Sequence, residues 1–164
     1  MKVLIYTLYL PELVDGASTS ARKLVKYFKK HGIDAEVCTT DLGWNKEKLL
    51  RCSDCKVFPA LFSHPLEISP KVIFYLLKNI SKYDVVHFRG IFSVGTVIGT
   101  LLAKILSKPS VISPLGNLSP TWKERKSASR GFAKFLFFEL FCKLSIQLSD
   151  LIICASQVLM SGTG

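Results

Sequence analysis

Seven positions carry groups suited to holding a ligand, and each follows an apolar, strand-like run. Gly16, Ala17 and Ser18 come after KVLIYT and open a helical stretch. The free N–H groups of a helix start can meet a phosphate or a sugar hydroxyl. Gly16 alone serves equally well to turn the chain. Arg89 and Gly90 end the run DVVHFRG, which places a guanidinium suited to an anion at the end of a strand. His87, two residues back, reads as a buried structural histidine. Gly116 and Asn117 lie in VISPLGNLSP, where two prolines frame a glycine and an amide. There Gly116 can present backbone N–H groups and Asn117 a side-chain amide, although a plain turn needs the same residues.

The better-known sites are not written in this chain. The loop LYLPELVDGAS holds Gly16 as its one glycine, so it lacks the G-x-G-x-x-G of a dinucleotide site. Neither a G-x-x-x-x-G-K-[ST] phosphate loop nor a G-x-S-x-G nucleophile elbow occurs. Cys52 and Cys55 form one C-x-x-C near His64, but a structural zinc needs four ligands and no second pair stands at suitable spacing. A redox C-x-x-C would open a helix after a strand, whereas this pair precedes a strand. No cofactor is expected.

Elements that would position the seven residues can be read from hydrophobic period. Continuous Val, Ile and Leu runs at 2–7, 33–39, 84–88, 109–113 and 151–155, with a weaker one at 55–58, suit strands covered on both faces. Between them lie ASTSARKLVKYFKKHG, SPKVIFYLLKNISKYD, FSVGTVIGTLLAKILS and a long segment from Pro120 to about Ser149. In the first of these, Ala21, Leu24, Val25 and Phe28 share a face, Ser18 or a neighbour caps the start, and Gly32 marks the end. Ser69 and Pro70 start the second. Residues 40–68 are the least regular, with a short helix expected around Lys46 to Leu50. Strand and helix alternate, which predicts an α/β, doubly wound parallel sheet of about six strands with helices on both faces.

With 164 residues, the chain suits a single domain. Twenty-two Lys and Arg against twelve Asp and Glu give a net charge of +10, which favours anionic partners. Five cysteines at irregular spacing suit reduced thiols and the cytosol. The opening MKVLIYTLYLPELVD reads as a first strand, since Glu12 and Asp15 stand where a leader's cleavage site would fall. No run of about 18 apolar residues marks a membrane span.

The segment TWKERKSASRGFAKFLFFELFCKLSIQLSD sets Lys123, Arg125, Lys126, Arg130 and Lys134 among and ahead of a cluster of phenylalanines. A basic, aromatic amphipathic helix can lie in a membrane interface, with cations on anionic head groups and rings in the acyl boundary. Phe137, Leu140, Phe141, Leu144 and Leu148 are also spaced as an ordinary core face.

Taken in order, MKVLIYT with its loop ending at Gly16, IDAEVCTTD, YDVVHFRG, KPSVISPLGNLSP with its basic segment, and LSDLIICAS resemble the amino-terminal domain of a family 4 GT-B glycosyltransferase. The resemblance covers nearly the whole chain and implies a retaining enzyme that moves a sugar from a nucleotide-sugar donor to a glycan or lipid-linked acceptor. It implies that Gly16 and Ala17 meet the donor diphosphate on closure, and that Gly116 and Asn117 face the acceptor. Leu115 and Arg89 stand where family members often carry His or Arg, and His, respectively. The resemblance also implies a carboxyl-terminal donor-binding domain beyond QVLMSGTG, so this chain is expected to be inactive alone, in the cytoplasm or at the inner face of the membrane. A different class of function, a non-catalytic module docking on a membrane or partner through residues 121–149, fits the basic aromatic segment. Nucleic acid is not an expected partner, because no recognition motif is present.

Overall fold

Alternating apolar runs and amphipathic helices assemble, in the computed structural model, into six parallel strands in the order β3-β2-β1-β4-β5-β6. The structure describes residues 1–7, 16–42, 55–61, 68–115 and 136–154, and of residues 16–19 and 138 the backbone only. The strands are β1 (Lys2–Thr7), β2 (Asp34–Thr40), β3 (Cys55–Phe58), β4 (Val85–Arg89), β5 (Ser110–Ser113) and β6 (Leu151–Ile152). The helices are α1 (Gly16–Lys30), α2 (Pro70–Asn79), α3 (Val94–Ile105) and α4 (Lys143–Leu148), the last entered through a π-helical turn, Phe138–Cys142. This strand order reverses direction between β1 and β4, and β-strand to β-strand crossovers put helices on both faces. The expected doubly wound sheet is what forms.

Odd-numbered strand residues face α1. Val3, Ile5, Ala35 and Val37 pack there with Ala21 and Val25, while Leu24 and Phe28 close the rim, as their helical spacing predicts. Even-numbered residues face the other way: Leu4, Tyr6, Cys38, Val86, Phe88 and Ile112 pack with Val72 and Leu76 of α2, and with Ala103 of α3. Burial on both faces explains why these strands read as continuous apolar runs.

Local signals set the helix ends. Gly32, at φ +73°, ends α1: its N–H reaches Lys29 O at 3.1 Å, and Ile33 N–H reaches Phe28 O at 2.9 Å. This is a Schellman motif, with Ile33 and Phe28 both set against the same core. Ser69 caps α2, its Oγ accepting from Val72 N–H and donating to Pro59 O at 2.7 Å. Helix α1 begins at Gly16, so Ser18 lies in its first turn and not at the cap.

Helix α3 approaches the sheet closely because Gly95 and Gly99 lie one turn apart on its inner face. A methyl group on either would overlap Tyr6 or Phe88, respectively. At the amino edge Glu36 gathers Lys56 at 3.2 Å, Lys2 at 3.5 Å and the Tyr83 hydroxyl. Tyr75 and Tyr83 share a hydrogen bond of 2.6 Å.

Three expectations are corrected. The residues spaced as a core face in the carboxyl-terminal segment do not all turn inward: Leu140, Phe141 and Leu144 are exposed, and Phe137, Cys142 and Ser145 are buried. The π-turn is the reason. It widens one turn to a five-residue step, from Phe137 to Cys142, and so advances the buried seam past Phe141. Secondly, Cys55 is disulfide-bonded, against the expectation of reduced thiols throughout, while Cys38, Cys142 and Cys154 keep their thiols outside any disulfide. Thirdly, β6 stops at Ile152, short of the run to 155. The helix expected around Lys46 to Leu50 falls outside the described residues.

Candidate functional site

An open parallel sheet leaves a crevice at the carboxyl ends of its strands where the strand order reverses, here between β1 and β4. The last residues of the strands flanking this point form a polar row. Thr7 is the register partner of Arg89, and Arg89 is the partner of Ser113. All three have the parity of the α1 face, and all are buried. Thr39, on the same face of β2, extends the row by one strand and is also buried.

Helix α1 comes down over this row. Arg89 Nη2 donates to Ser20 Oγ at 2.5 Å, so the guanidinium is held between the strand end and the first turns of the helix. One step deeper, His87 Nε2 and Ser113 Oγ lie 2.7 Å apart. Burial, and then the positive charge of Arg89, push the His87 pKa down to about 4. The imidazole is therefore neutral at pH 7, and its pairing with Ser113 fixes that hydroxyl beside the arginine.

The chain leaves β4 through Gly90, at φ +94°, a conformation that a side chain resists. Its N–H bonds Ser113 O at 2.9 Å, and its carbonyl accepts from Thr96 Oγ1 at 3.0 Å. Glycine here ties the ends of β4 and β5 together and turns the chain into α3. Ser93 caps that helix, accepting from Gly95 N–H at 3.1 Å and sharing a 2.7 Å hydrogen bond with the Tyr6 hydroxyl. At the end of β5, Leu115 adopts φ +57°, a left-handed backbone rare for leucine.

Of the residues singled out by sequence, Arg89 and Gly90 stand at this edge, and the backbone of Gly16, Ala17 and Ser18 forms the first turn of α1. Gly116, Asn117, Lys123, Arg125, Lys126, Arg130 and Lys134 lie outside the described residues. Thr7, Ser20, Thr39 and Ser113 were not legible as site residues. Their signal is the shared parity of strand ends, which needs the strand order before it can be used.

A Rossmann-like parallel sheet with a polar, cationic site at its switch point defines the class. The model of Glycosyltransferase Family 4 matches residues 14–161, and the chain belongs to that family. No curated protein matches the sequence. Among solved structures, Anabaena Alr3699/HepE in complex with UDP-glucose is similar at a TM-score of 0.61 and 19% identity, over 99% of this chain and 40% of that one. A putative UDP-N-acetylglucosamine 2-epimerase from Listeria monocytogenes is similar at 0.61 and 15% identity, over 99% and 40%. MurG from Acinetobacter baumannii is similar at 0.54 and 14%, over 94% and 41%. At these identities the likeness is one of fold, that of GT-B proteins. The chain spans about two fifths of the length of these neighbours.

Proposed function

We propose that this chain is the acceptor-side lobe of a retaining glycosyltransferase, which moves a sugar from a nucleotide-sugar donor to a glycan or lipid-linked acceptor. The observation that carries the reading is the family match across a sheet whose switch point bears Arg89 in a row of hydroxyls. A second, donor-binding lobe, in the same polypeptide or a separate subunit, supplies the nucleotide site. Transfer leaves negative charge on the donor diphosphate, and N–H groups at the start of α1, from Gly16 and Ala17, are suited to stabilise it on closure. Ser18, Arg89 and Gly90 complete the substrate-facing edge, with Gly116 and Asn117 on the acceptor side.

The test is turnover by the native gene product, isolated from its source cells with an antibody against this chain. Its intact mass is expected to be about double that of one domain. Offered radiolabelled nucleotide sugars and a lipid extract from the same cells, it is expected to release nucleoside diphosphate and label the extract. A product that transfers no sugar from any donor overturns the reading.

The second reading, docking on an anionic membrane surface, is favoured by the exposed Leu136, Leu140, Phe141 and Leu144 of the carboxyl-terminal helical segment. No helix among the described residues is long and apolar enough to cross a membrane. The surface reading places lysines and arginines of residues 123–134 on lipid head groups. It accompanies sugar transfer if both occur, and replaces it if only vesicle binding is found.

A further inference from the structure

We propose that Arg89 is the seat for an oxyanion carried by the acceptor, a phosphate or a carboxylate, so that this enzyme selects negatively charged acceptors over neutral glycans. The inference rests on the reading of this chain as the acceptor-side lobe, with Arg89 on its substrate-facing edge. A guanidinium stays charged at every working pH and matches the two-oxygen edge of a phosphate or carboxylate. This one is only 5% exposed and stands at the switch point, where a ligand enters between β1 and β4.

Its cross-strand neighbours on the same face are the hydroxyls of Thr7 and Ser113, which add hydrogen-bonding capacity without negative charge. His87, beneath them, is neutral and holds Ser113 in place. Ser20 receives Nη2 from the helix side and so orients the guanidinium plane. Thr39 continues the row with a buried Oγ1 that has no hydrogen-bond partner in the structure, among the described residues. The chain's charge of +10 adds a long-range attraction for anions.

The experiment is an NMR titration of the full-length native protein, following the Nε–H signal of Arg89 at constant ionic strength. The probes are inorganic phosphate, glucuronate, neutral glucose and uridine diphosphate. Saturable shifts with phosphate or glucuronate, and none with glucose, are expected, and phosphate against glucuronate tells which oxyanion is preferred. Arg89→Gln is expected to weaken the binding by at least about tenfold, with Arg89→Lys between the two. A wild-type Arg89 signal that ignores both oxyanions overturns the proposal, and this holds even where Arg89→Gln fails to fold. Uridine diphosphate moving the Arg89 signal at far lower concentration than either oxyanion also overturns it, by giving the seat to the donor. Sugar transfer is scored separately. Transfer without oxyanion binding removes this inference and leaves the glycosyltransferase reading. Oxyanion binding without transfer from any donor removes the glycosyltransferase reading, and with it the acceptor assignment.

Discussion

His87 and Arg89 show how two residues on one strand can divide the work of the candidate site. The arginine keeps its charge at the edge, and the histidine below it gives up its own, because burial and the neighbouring cation both disfavour protonation. The linkage to stability has a definite sign. The folded pKa of about 4 lies below the ordinary 6.5, so the unfolded chain binds the proton first as pH falls. Stability is fully present above about pH 6.5 and declines toward pH 4, by up to about 3 kcal/mol. Urea unfolding between pH 7 and 4 is expected to show that decline, and His87→Gln to flatten it. Glu36 acts in the same direction in a lower window. Burial alone would raise its pKa, but the Tyr83 hydroxyl and then Lys56 and Lys2 hold it below the usual value, so its contribution is lost only as pH falls below about 4.5. Gly90→Ala forces a side chain into φ +94° and is expected to cost about 1–3 kcal/mol in urea unfolding, with the edge hydrogen bond to Ser113 weakened.

At the scale of elements, α3 positions the site by how closely it lies on the sheet. Gly95→Ala and Gly99→Ala each set a methyl group into the ring of Tyr6 or Phe88 and are expected to lower stability by about 1–3 kcal/mol in chemical denaturation. The two should differ in effect. Gly95 stands beside the Ser93 cap and the Tyr6 hydroxyl, so its change disturbs the carboxyl edge, whereas Gly99 meets Phe88 deeper in the core. The strands β1, β2, β4 and β5 were legible as doubly buried runs, and α1, α2 and α3 from period and punctuation, because Gly32 and Ser69 act locally. The carboxyl-terminal segment was not, because a π-turn changes the period from which the face is read. Site legibility followed the same division. Arg89 and Gly90 announce themselves in the chain, but the row formed by Thr7, Thr39 and Ser113 exists only once β2, β1, β4 and β5 lie side by side.

Charge and exposed apolar surface act on the molecule as a whole. A chain at +10 attracts anionic surfaces from beyond contact distance, and salt screens that attraction within about 10 Å at 0.1 M. The native protein is expected to float with vesicles rich in anionic lipid at low salt and to dissociate as salt rises. Leu140→Glu combined with Leu144→Glu changes two exposed positions and is expected to abolish flotation while leaving the fold intact by circular dichroism. Unchanged flotation of the double variant would remove this face from the membrane reading. The parallel sheet and its switch point make a different demand, that chemistry stays at the carboxyl edge whether or not a membrane is present.

The most direct test of that demand is the rate of sugar transfer by the native protein, compared with Arg89→Gln at the carboxyl edge and Lys82→Ala on the exposed turn after α2, each matched for stability. Loss of about a hundredfold or more in Arg89→Gln, with Lys82→Ala at the wild-type rate, is the predicted result. Equal transfer by all three proteins would contradict the account, because the site would then lie elsewhere.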